Sequence, residues 1–177
     1  ENFASAFSVN YNADGAGTTV YSLGVSSAGV DSGLDDVATG QNVLLYLESG
    51  SIVGRVGNSF GAAAFTLTVN VSTGEVTLDQ IRALTHPTGG TGSPDELVTL
   101  ATGAVTLIAT VTDRDGDIAS ANIDLGGRVS FHDDAPTVTT NVTATSLVVD
   151  ESTLGTNDTE NFASAFSVNY NADGAGT

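Results

Sequence analysis

Apolar and polar residues alternate along much of the chain. In "AFTLTVNVS", Phe65, Leu67, Val69 and Val71 fall on one face, and Thr66, Thr68 and Asn70 fall on the other. A period of two marks a strand with one buried face. "STGEVTL" follows directly, and its Thr73-Gly74 pair predicts a hairpin turn into a second strand. Comparable runs occupy residues 19–26, 42–49, 104–113 and 118–131. Gly- and Asp-rich stretches such as "NADGAG" and "DSGLDD" read as the turns between them. Many short strands separated by turns predict an all-β fold, an antiparallel β-sandwich. Two stretches break the alternation. "LDQIRALT" (78–85) predicts a single helical turn crossing between sheets, and "HPTGGTGSPDE" (86–96) predicts a polar surface loop.

A longer period overlies the short one. Residues 160–177 repeat residues 1–18 letter for letter, an offset of 159 residues (160 minus 1). Such an offset is too long for a solenoid unit and matches an ordinary independent domain. The expected organisation is therefore one period of a tandem array, with part of the next.

Charge narrows the function. The chain has 21 acidic and 4 basic residues, all arginines, for a net charge of −17. Such a surface repels nucleic acid and anionic membranes and attracts cations. A hydrophobic fraction of 40% argues against disorder. Cysteine is absent, which excludes disulfides, zinc-thiolate sites and thiol nucleophiles. No apolar run is long enough for a transmembrane helix. The aspartate pairs sit in turns without a histidine or serine partner arrangement, so no enzyme is expected.

The densest acidic motif is "TDRDGDIAS". Asp113, Asp115 and Asp117 alternate there, and in a tight loop such spacing lets carboxylates converge on one point. Calcium takes six to eight oxygen ligands, and clustered carboxylates relieve their repulsion by binding it. Gly116 permits the sharp turn this needs. An EF-hand is excluded, because its obligatory glycine position carries Ile118 and strands flank the loop. Two more acidic groups extend the metal reading: Asp133 and Asp134 in "FHDDAPTV" at a strand end, and Asp150 and Glu151 in "LVVDES" after an apolar strand. The runner-up function is a sugar- or protein-binding module with Tyr11, Tyr21 and Tyr46 on its surface.

"STGEVTLDQ", "TDRDGD" and "HDDAPTV" resemble, in that order, the strand-turn, loop and linker motifs of cadherin repeats. With "YSLGVSSAGVDSGL", "PDELVTL" and "LVVDES", they make the chain similar to the tandem-repeat extender modules of giant RTX-type bacterial adhesins exported by type I secretion. That resemblance implies an Ig-like or cadherin-like sandwich with calcium-bearing loops and linker. It implies a Gram-negative cell-surface location and head-to-tail neighbours that are identical repeats of the same chain. It assigns calcium ligation to Asp113, Asp115, Asp117, Asp133, Asp134, Asp150 and Glu151. The implied function is a calcium-rigidified spacer that projects distal adhesive domains for attachment or biofilm formation. "DDAPTV" marks the seam: residues 1–134 would form the body of one repeat lacking its own first strand. Residues 135–177 would be the linker and the start of the next repeat, completing a sandwich in cis or in a neighbouring molecule.

Overall fold

The computed structural model describes residues 1–13, 15–87, 96–141 and 146–175. The chain divides into two compact units, Glu1–Asp133 and Asp134–Thr177. Most of the predicted loop 86–96 lies outside the described residues. Among the described residues, no helix is long and apolar enough to cross a membrane.

The first unit is all-β and antiparallel. Its larger sheet has the order β2 (Val30–Asp35), β3 (Asn42–Glu48), β4 (Ser51–Val56), β5 (Ala63–Val69) and β6 (Val76–Gln80). A second sheet places β8 (Val105–Thr112) between β1 (Thr18–Val25) and β9 (Ile118–Asp124). A short ribbon pairs β7 (Leu97–Thr99) with β10 (Ser130–His132). Alternation explains the layering. Tyr21, Leu23, Val105, Leu107 and Ala109 point from the three-stranded sheet into one core, where they meet Val43, Leu45, Ile52, Phe65 and Leu67 from the five-stranded sheet. Phe131 of β10 closes it, with its ring 5.1 Å from that of Phe65. The result is sandwich-like, as expected of inner faces that alternate with polar outer ones. Because Tyr21 is buried in this core, it contributes nothing to a binding surface.

Three local readings need correction. "DSGLDD" is strand β2 rather than a turn: Gly33 (φ 78°) absorbs a register shift between Asp31 and Asp35, so the strand continues across its glycine. "LDQIRALT" forms no helical turn. Leu78, Asp79 and Gln80 pair with Leu67, Thr66 and Phe65, and the chain then bridges Asp36 at Leu84, which is fully buried. Ladder bonds and burial override the weak helical pattern. Residues 118–131 form two strands, separated by a turn in which Arg128 and Val129 donate to the Leu125 carbonyl.

The second unit is slight. β11 (Thr137–Thr140) pairs antiparallel with β12 (Phe166–Asn169), and short 3-10 turns lie at Glu151–Thr153, Ala163–Ala165 and Asn171–Asp173. None of its described residues is buried. Leu147, Val148 and Val149 are exposed and lie outside any strand, so the apolar strand expected before Asp150 is absent. Three consecutive apolar residues give no alternation, and without a sheet to join they stay irregular.

Candidate metal centre

β8 and β9 form a hairpin with Thr112 opposite Ile118, leaving Asp113–Asp117 as its tip. The Asp113 N–H donates to the Asp117 carbonyl at 3.0 Å and closes the loop. Inside it, Asp113 Oδ1 accepts the N–H groups of Gly116 (3.0 Å) and Asp117 (2.8 Å). Gly116 sits at φ 102°, a conformation reserved for glycine, and the turn depends on it. This tightness brings one carboxylate oxygen each from Asp113, Asp115 and Asp117 within 4.8 Å of one another.

The electrostatics match that crowding. A hydrogen bond from Asp115, reinforced by the backbone amides of the loop, holds the Asp113 carboxyl below its ordinary range. The same hydrogen bond, together with repulsion from Asp113, pushes the Asp115 carboxyl up. Two neighbouring carboxylates repel each other when both are ionised, and a divalent cation between them would relieve that repulsion. The donor set is three hard carboxylates on a hairpin tip, and it fits calcium better than a softer metal.

The remaining sequence-predicted ligands are distributed differently. Asp133, in the first unit, donates its N–H to the Glu96 carbonyl at 2.8 Å and extends the β7–β10 ladder. Its Oδ1 lies 3.4 Å from Nδ1 of the buried His86, whose Nε2 faces the Phe131 carbonyl. Asp134, in the second unit, accepts the Ala172 N–H at 3.3 Å, and its carboxylate comes within 4.8 Å of that of Asp173. Spacing alone does not single out Asp173, although its place in the recurring "NADGAG" stretch is a usable signal. Asp150 caps the 3-10 turn Glu151–Thr153 by accepting the Ser152 N–H at 2.8 Å, and this bond lowers its pKa. Among the described residues, neither Asp150 nor Glu151 joins a group of three acidic side chains.

One acidic residue has a purely structural role that alternation could not reveal. Asp36 is buried and receives Arg82 through two bonds, Nε to Oδ1 at 2.7 Å and a terminal nitrogen to Oδ2 at 3.1 Å. Thr39 adds its N–H and hydroxyl. The partners lie 46 residues apart, so only the fold brings them together.

These observations define an all-β, antiparallel, sandwich-like module with an acidic hairpin tip. Residues 1–126 match the family described as a domain of unknown function, DUF5801, and the chain belongs to that family. No curated protein and no solved structure matches it.

Proposed function

We propose that this chain is an extender repeat of a large secreted RTX-type cell-surface adhesin, a spacer stiffened by calcium that carries distal adhesive domains outward. The observation that carries this reading is the identity of residues 1–18 and 160–177 at a domain-sized offset. Near-identical copies in series add length, whereas a ligand-binding head needs only one copy. The acidic hairpin tip supports the calcium part. Asp113, Asp115 and Asp117 would hold the ion, whose positive charge would offset the repulsion from Asp113 that pushes the Asp115 carboxyl up. A carboxylate triad on an exposed loop suits the weak affinity of extracellular modules, on the order of 10⁻⁴–10⁻³ M.

Thermal melting in calcium and in EDTA tests the proposal. At roughly 100 times Kd, one bound ion stabilises the fold by about 2.7 kcal/mol, so EDTA lowers the melting temperature by several degrees. The D113N/D115N/D117N variant melts at the EDTA value in both buffers. Small-angle scattering of a several-repeat array shows a longer, stiffer particle with calcium. Melting curves and scattering profiles indifferent to calcium would remove both the ion and the stiffening from the proposal.

A further inference from the structure

The repeated eighteen residues occur in both units, and at several described positions their local geometry agrees. Phe3 and Phe162 lie at φ −99°, ψ 5° and φ −91°, ψ 4°, each preceding a 3-10 turn of sequence Ala-Ser-Ala. Asn12 and Asn171 share the left-handed conformation at φ 53° and 54°. Asn10 and Asn169 cap the following turn alike, accepting the N–H of the residue two positions on at 2.9 and 3.0 Å. One difference stands out. In the second unit Phe166–Asn169 is strand β12, paired with Thr137–Thr140. In the first unit the identical Phe7–Asn10 lies in no strand or bridge, although Phe7 is in the extended conformation (φ −109°, ψ 134°). Among the described residues, the backbones of Ser8, Val9 and Asn10 make no hydrogen bonds, and all three residues are exposed.

This free stretch is held at both ends. Phe7 packs on Tyr21 with ring centroids 5.9 Å apart. Phe3 and Ala4 lean on the core, Asn2 bridges Glu75, and the Tyr11 hydroxyl meets Thr19 Oγ1 at 2.9 Å. An extended, anchored backbone with unsatisfied N–H and C=O groups is a template for strand addition.

We infer that Phe7–Asn10 is an acceptor edge whose occupant is a second copy of the β11 segment, residues 134–141. The register follows from the second unit by the 159-residue offset: Thr137 opposite Asn10, Val138 opposite Val9, Thr139 opposite Ser8 and Thr140 opposite Phe7. The residue that clamps the entering strand is also duplicated. Asn171 Nδ2 donates to the Ala135 carbonyl at 2.6 Å, and Asn12 has the same backbone conformation. Repeats joined in series thereby interlock through main-chain bonds. This rests on the pairing in the second unit rather than on calcium or the spacer role, so melting indifferent to EDTA would leave it standing.

The ladder predicts which amides report binding. The Asn141 N–H donates to the Ala165 carbonyl, so alternation places Thr139/Ser167 and Thr137/Asn169 among the hydrogen-bonded pairs. The corresponding groups in the first unit are the N–H of Ser8 and Asn10, whereas Val9 corresponds to Val168, which falls in a non-hydrogen-bonded pair. The test joins a further copy of residues 135–159 ahead of Glu1 and follows amide hydrogen exchange. Ser8 and Asn10 are expected to slow by at least about tenfold while Val9 does not. Thr139→Pro in the added copy removes a ladder bond and restores fast exchange. Unchanged exchange at Ser8 and Asn10 in the folded, extended chain overturns the inference. Should that chain fail to fold, a synthetic peptide of residues 134–141 is titrated into the unextended protein. Slowing at the same two amides then supports the inference, and its absence at millimolar peptide overturns it.

Discussion

The Asp36–Arg82 pair governs stability at the residue scale. Asp36 is almost wholly inaccessible, while the Arg82 side chain keeps 31% exposure. Arg82→Ala would leave the Asp36 carboxylate buried without its charged partner, which is destabilising, and the partial exposure of the arginine moderates the loss. The pH dependence has a definite sign. The Arg82 hydrogen bond holds the Asp36 pKa below its unfolded value. Its contribution is therefore full above the unfolded value of about 3.9 and disappears as pH falls through the lower folded value. Arg82→Ala should lower the denaturation midpoint at pH 7 and flatten the stability loss below pH ~4. Urea titrations at both pH values measure this, and an unchanged midpoint would contradict it. Nothing in the alternation singles out Asp36, because its importance comes from a partner 46 residues away.

At the element scale, the alternating runs at 19–26, 42–49, 65–71 and 104–113 emerge as strands within a residue or two, except that β5 ends at Val69. Their faces are dictated locally, since successive side chains must point oppositely. "DSGLDD" and "LDQIRALT" depart from their local patterns because neighbouring strands recruit them by register, a non-local cause. The acidic tip is legible for the opposite reason: five consecutive residues contain both the three carboxylates and the turn that gathers them. Gly54 shows a requirement that only strand pairing reveals. It lies opposite Phe65, and a Cβ there would come within 2.5 Å of the buried ring. Gly54→Ala should destabilise by about 1–3 kcal/mol through overpacking. A denaturation midpoint equal to wild type would show that the ring has room to move.

On the scale of the whole molecule, a net charge of −17 opposes compaction everywhere at once. With EDTA present, raising sodium chloride from about 0.02 to 0.5 M shortens the screening length from roughly 20 Å to about 4 Å. The melting temperature should rise by several degrees; a fall would show that specific ion pairs outweigh the global repulsion. The two units differ most in what they bury. The first holds a core assembled from two sheets, while the second presents a two-stranded ribbon with no buried residue described. A ribbon of that kind is marginal alone, and a sheet to join adds to its stability.

The sequence by itself determined whatever depends on neighbouring residues or exact recurrence: strand alternation, the acidic turn, the charge and the 159-residue period. The repeated eighteen residues show how far that reaches, since the Ala-Ser-Ala 3-10 turn, the asparagine caps and the left-handed asparagines recur in both units. Only the tertiary structure decided whether Phe7–Asn10 or Phe166–Asn169 becomes a strand, whether Asp36 meets Arg82, and which acidic groups converge. The reason is that a strand is completed by bonds to another strand, and a carboxylate's role is set by what the fold brings beside it.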